Sequence, residues 1–148
     1  MSTRQAHALD AIEIGDFLDA QQTGVLSLAR DDDSYAIPVS FAYDDDGEDS
    51  PAIYFRLGYA PASQKQDYIE STDHATFVVY DQTDAGWHSV VAEGHLEQLS
   101  ETELDATIRE AVDHLDIPFF EVHERPIEDI EFTTVRFQIA TMHGIREA

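Results

Sequence analysis

Residues 53–70 read IYFRLGYAPASQKQDYIE, and the change of rhythm inside this stretch sets the fold. Ile53, Phe55 and Leu57 alternate with Tyr54 and Arg56, the period-two pattern of a strand. Gly58 ends the strand, and Tyr59, Ala60 and Pro61 make a turn. A helix then starts at Ser63, where Ser63 and Gln66 have the S-x-x-Q spacing of a capping box. The first turn of a helix presents unpaired N–H groups and the positive end of its dipole, which suits an anion. Lys65, the only lysine of the 148 residues, lies in that turn and adds a full charge. The expected occupant is a phosphate.

Outward from this stretch the chain reads as short strands with helices at their margins. Upstream, Tyr35, Ile37, Val39, Phe41 and Tyr43 alternate strictly with Ala36, Pro38, Ser40 and Ala42, so one face is bulky and the other small. The small face leaves room for a ligand to approach. Pro38 has no N–H to give a ladder and belongs at a bulge or an unpaired edge. Val25, Leu26 and Leu28 form an earlier strand, reached through the turn at Asp31–Ser34. Before it, Asp10 caps a helix expected over residues 11–22 with Ile12, Ile14, Phe17 and Leu18 inward. Downstream, ATFVVY (75–80) reads as a strand covered on both faces, and residues 81–86 as a loop. A long strand follows from Trp87 to Leu99. Ser100 and Glu103 form a second capping box, whose helix turns Leu104, Ile108, Ala111, Val112 and Leu115 inward. Its first turn is acidic, so no anion belongs there. Pro118 and Pro126 bracket a short element, and a last strand is expected from Phe132 to Ala140. Hairpin-length connections favour a mainly β Greek-key or barrel core over a doubly wound sheet. The length suits a single domain spanning 1–148.

Composition narrows the partners. Asp and Glu number 31 against 8 Lys and Arg, a formal charge of −23. Because these acids are spread along the chain and 43% of residues are hydrophobic, the pattern is a folded domain with an acidic surface. Such a surface suits a halophile, where concentrated salt screens the repulsion. Nucleic acid and anionic membranes are excluded as partners for want of basic clusters. Cysteine is absent, which removes disulfides, thiolate metal sites and thiol catalysis. No signal-like or membrane-length apolar run is present, and a soluble cytoplasmic protein is expected.

The chemistry-bearing residues give few motifs. No H-E-x-x-H spacing joins the seven histidines, and His88 and His95, seven apart on one strand, are expected on opposite faces. A nucleophile elbow, a Walker loop and a dinucleotide fingerprint are all missing. Trp87-His88-Ser89 opens its strand with a ring able to stack and two hydrogen-bonding groups.

Four segments in order resemble the pyridoxamine 5′-phosphate oxidase-like family of FMN-binding split barrels: GVLSL from Gly24, PVSF at 38–41, IYF followed by SQK at 63–65, and WHSVVAEG at 87–94. The resemblance covers residues 24–99, with an echo in ATMHG near the C-terminus. It implies a six-stranded split β-barrel, paired as a homodimer with FMN at the subunit interface. It also implies that Ser63, Gln64 and Lys65 hold the FMN phosphate, Gln64 standing where the family has arginine. Pro38, Val39 and Ser40 would lie along the flavin ring, with Phe55, Arg56 and Leu57 beside it and Trp87, His88 and Ser89 reaching it from a further strand. The substrate-binding R-L-x-P of the true oxidase is lacking, so the implied function is a flavin-dependent oxidoreductase of another substrate. A reductase using a deazaflavin coenzyme and a non-catalytic flavin-binding sensor are the alternatives.

Overall fold

A computed structural model describes residues 5–44, 51–59, 64–100, 102, 106, 109 and 131–147. The elements in chain order are β1 (Ala6–Ala8), α1 (Ala11–Asp19), β2 (Thr23–Arg30), β3 (Asp33–Asp44), β4 (Ala52–Tyr59), α2 (Gln64–Ser71), β5 (Ala75–Thr83), β6 (Gly86–Leu99) and β7 (Glu131–Glu147). Six strands form a closed antiparallel ring, β7-β4-β3-β2-β5-β6, with β6 pairing back onto β7, and β1 adds to β7 at residues 145–147. The mainly β barrel expected from the sequence is the observed fold.

One level of the barrel is pinned by aromatic rings. Phe41, Phe55, Phe77 and Phe137 come from four different strands, and Phe77 meets Phe41 at 5.1 Å and Phe55 at 4.9 Å in edge-on geometry. Phe137 lies 6.1 Å from Phe55. Such pairs contribute about 0.5–1.5 kcal/mol each beyond area burial. β2 makes room for this cluster by carrying Gly24, where an added Cβ would stand 2.5 Å from the Phe77 ring. Leu26, Leu28, Ile37, Val39, Ile53, Leu57, Val79, Val90 and Val135 complete the interior.

The helices close opposite ends. Asp10 caps α1 in a reciprocal box with Glu13: its carboxylate accepts from the Glu13 N–H at 2.8 Å, and its own N–H donates to Glu13 Oε1 at 3.1 Å. α1 is three residues shorter than expected and buries Ile14, Phe17 and Leu18. Ile12 was expected inward but is 76% exposed, because it falls outside the arc that the other three share. α2 packs where β2 finishes. Tyr68 stacks on Tyr35 at 5.2 Å, the Arg30 guanidinium lies over the Tyr68 ring, and the Thr72 hydroxyl donates to the carbonyls of Tyr68 and Ala29.

β1 is a strand that the sequence pattern does not predict, and three expected strands differ in extent or burial. β5 and β6 extend through the anticipated loop to a turn at Asp84–Ala85, with Gly86 at φ 115°, a conformation that favours glycine. β5 buries Ala75, Phe77 and Val79 but leaves Thr76 and Val78 half-buried, so it is fully covered on one face. β7 runs seven residues past Ala140, crossing a register shift at Glu93/Gly94. At that shift the two backbones nearly touch, since a Cβ on Gly94 would lie 2.0 Å from the Gln138 carbonyl oxygen. The second capping box, the helix behind it and the Pro118–Pro126 element fall largely outside the described residues.

Candidate functional site

The ring of strands is loosest at two seams: β2 meets β5 over only three pairs, Val25–Ser27 with Thr76–Val78, and β3 leaves β4 for most of its length. β3 pairs with β2 over its whole first part, Asp33 to Ser40, but meets β4 only from Phe41 to Asp44. Before Phe41, no described strand lies on the β4 side of β3. This is where Pro38 falls. Phe41 sends its N–H toward β2, to the Gln22 carbonyl at 3.1 Å, so even-numbered Pro38 turns its missing donor to the unpaired side, as a proline in a strand requires.

Strand parity sorts the expected site residues. Val39, Phe55 and Leu57 point into the core, 3%, 0% and 2% exposed, so only their backbones can meet a ligand outside the barrel. Pro38, Ser40 and Arg56 are on the outer face. Ser40 and Arg56 flank the split just past its last pair, Phe41–Phe55. Pro38 is exposed, Ser40 is buried and Arg56 is half-buried. Ser63 lies outside the described residues. Gln64 and Lys65 are the first two residues of α2 by backbone, and their side chains are not among those described. A helix begins where the S-x-x-Q spacing predicts.

β6 divides its three residues between faces. Trp87 and Ser89 point outward, whereas His88 points toward α1 and stacks on Phe17 at 5.5 Å with 16° between ring planes. The His88 Nδ1 is 3.3 Å from the Gly86 carbonyl and 3.2 Å from the Thr83 hydroxyl. A carbonyl only accepts, so Nδ1 carries the ring proton. His95 faces outward, as its spacing from His88 predicts, and its Nδ1 donates to the Asp73 carbonyl at 2.8 Å. Among the described residues no group of three or more His, Asp or Glu side chains is placed to hold a metal.

Between the split and Trp87 the outer face carries a strip that single residues do not reveal. Pro38, Val25, Val78 and Val91 stand opposite one another in register across β3, β2, β5 and β6. The adjoining row contains Tyr80, Ser89 and Ile145. Tyr80 stacks on Trp87 at 5.4 Å, and Tyr80, Trp87, Val91 and Ile145 are 54%, 40%, 38% and 41% exposed. Together these side chains form an exposed, largely apolar strip on the outer face. Val25 and Val78 read in sequence as ordinary strand residues, and only the pairing of non-neighbouring strands aligns them.

Fold and site define a split β-barrel in which β3 leaves β4 before Phe41, with an apolar strip on the outer face beside the break. The sequence pattern of the family described as pyridoxamine 5′-phosphate oxidase matches residues 10–146, and the chain belongs to that family. Similar solved structures include a conserved protein of unknown function from Corynebacterium diphtheriae, at 24% identity and a TM-score of 0.70, covering 97% of this chain and 98% of that one. An FAD-binding protein from Mesorhizobium loti matches at 19% identity and a TM-score of 0.69, covering 99% of both chains. A second FAD-binding protein, from Mycobacterium smegmatis, matches at 19% identity and 0.66, covering 95% and 97%. No protein of curated function matches the sequence. No described helix is long and apolar enough to cross a membrane.

Proposed function

We propose that this protein binds a flavin, as FMN, on the outer face of the barrel beside the β3–β4 split, and that two copies pair through their apolar strips with the flavin between them. The observation that carries this reading is the juxtaposition of the split with the strip: Pro38 belongs to both. The residues present fit a flavin. Small side chains at Ala36, Pro38 and Ser40 let a planar ring approach the β3 backbone, the Arg56 side chain stands at the split, and the Tyr80–Trp87 pair offers aromatic area for stacking. At the phosphate end, the start of α2 supplies backbone N–H groups, and Lys65, in its first turn, supplies charge.

A bound flavin supplies the redox step, and the protein supplies binding and orientation. In this division of labour Lys65 and the start of α2 anchor the anionic end. Val39, Phe55 and Leu57 keep the strands beneath the ring rigid by filling the core. The pairing of two strips excludes water from the ring. The reaction class is a flavin-dependent oxidoreductase, and an acidic surface of this charge fits the salt-rich cytoplasm of a halophile.

FAD is the second reading, favoured by the two similar structures described as FAD-binding proteins. The test is to purify the protein in concentrated KCl, release any yellow chromophore, and identify it by mass. FMN supports the first reading and FAD the second. A colourless protein that takes up neither flavin on titration overturns both.

A further inference from the structure

We propose that the end of the barrel beside α1 holds a separate oxyanion-binding site built on Arg146. Four residues stand in register across four strands on the face that α1 covers: His7 on β1, Arg146 on β7, His88 on β6 and Asp81 on β5. Their common side follows from their neighbours. Val90 pairs with Gly144 one step along, and a Cβ on Gly144 would meet Ile14 and Leu9 at 2.9 Å, so this face looks toward α1. Trp87 and Ile145, which carry the apolar strip, point to the opposite side. The Arg146 site is therefore distinct from the proposed flavin face although it shares β6 and β7 with it.

Arg146 is the unusual member. Its Nε is buried with no hydrogen-bond partner, and among the described residues no acidic side chain pairs with its guanidinium. The other described arginines are engaged: Arg30 over Tyr68, Arg136 with Tyr54 and Glu97, and Arg56 and Arg109 with further groups. In so acidic a chain, a guanidinium that no described carboxylate pairs with stands out among the described residues. The fourth residue of the row, Asp81, is occupied elsewhere, accepting from the Gln21 amide at 3.3 Å. A buried donor without an acceptor is uncommon in folded proteins and points to a group that completes it.

The chemistry of that group follows from the donors. A guanidinium presents a planar fork that matches the two oxygens of a carboxylate or phosphate. His7 and His88 flank it on either strand and add hydrogen-bonding rings, not competing charge. Nε is buried, but Arg146 as a whole is half-buried and His7 exposed, so an anion approaches the fork from its Nη side while α1, through the Phe17–His88 stack, holds one wall. The ligand class is a small oxyanion, a phosphate monoester or a carboxylate.

The test uses the protein as purified, labelled with nitrogen-15, in chloride held at constant ionic strength. Inorganic phosphate and acetate are titrated separately while the Nε–Hε cross-peak of Arg146, assigned by its loss in Arg146→Lys, is followed. The expected result is a saturable displacement of that peak by one or both anions, the stronger response identifying phosphate or carboxylate as the ligand. The same displacement persists in Lys65→Ala. No saturable displacement by either anion overturns the site, and a displacement abolished by Lys65→Ala overturns it by moving the anion to α2. Should Arg146→Lys fail to fold, through-bond correlation from the Arg146 backbone amide to Nε–Hε in the wild-type protein gives the same assignment, so the readout is kept.

Discussion

Replacing Gly94 by alanine should open the seam that closes the barrel. The new Cβ would stand 2.0 Å from the Gln138 carbonyl oxygen, 2.9 Å from its carbon and 3.1 Å from the Ile139 Cα, all backbone atoms that no rotamer change can move. Ordinary contact begins near 3.4 Å, so β7 must retreat by more than about 1 Å, which stretches neighbouring ladder bonds out of range. Losing two or three bonds at about 1 kcal/mol each gives about 2–3 kcal/mol. At about 2–4 °C per kcal/mol for a domain of this size, the thermal midpoint should fall by about 4–12 °C. Circular dichroism melting in concentrated KCl measures it, with Gly144→Ala as the comparison. There the clash is with the side chains of Leu9 and Ile14, which can give way, and the fall should be smaller. A Gly94→Ala midpoint within about 2 °C of wild type would refute the account of the bulge.

Other expectations follow from single features. Asp10→Ala removes one half of the α1 capping box and should cost about 1 kcal/mol, read as a denaturation midpoint shift without a change in slope. Lys65→Ala should weaken flavin binding by about 1.5–3 kcal/mol, the scale of a charge-assisted hydrogen bond; an unchanged dissociation constant would remove the phosphate from α2. Ile145→Asp places a charge in the apolar strip at a site already 41% exposed, so the fold should survive while a dimer seen by light scattering dissociates. A dimer that persists unaltered would place the subunit contact elsewhere.

Local pattern made the strands legible where burial is one-sided. The alternation through Ile37, Val39 and Phe41 identifies β3 and its inner face, and the D-x-x-E spacing at Asp10 identifies the start of α1. β1 could not be read, because Ala6-His7-Ala8 has no pattern of its own and owes its extended form to the edge of β7. The second half of β7 was hidden for a related reason. After the register shift, inward positions pass from odd to even numbers, from Phe137 to Met142 and Gly144, so the period-two signal breaks mid-strand. The same parity explains what motif matching left unsorted at the site. Neighbouring residues of one motif, Pro38 with Val39 or Trp87 with His88, look to opposite sides of the wall, and the apolar strip exists only once distant strands are laid side by side.

The position of β7 in the chain bears on how the molecule is made. It pairs with β6 along nearly its whole length and with β4 and β1 on its other side, yet it comes after all the other described strands in sequence. Until residues 131–147 leave the ribosome, β4 and β6 are sheet edges with unpaired backbone and apolar side chains, the condition that invites pairing with other chains. Closure then depends on contacts of long sequence separation, which slow folding. A nascent chain already crowded with carboxylates repels its neighbours during that interval. The acidic composition can thus protect the protein as it is born, before the finished surface exists.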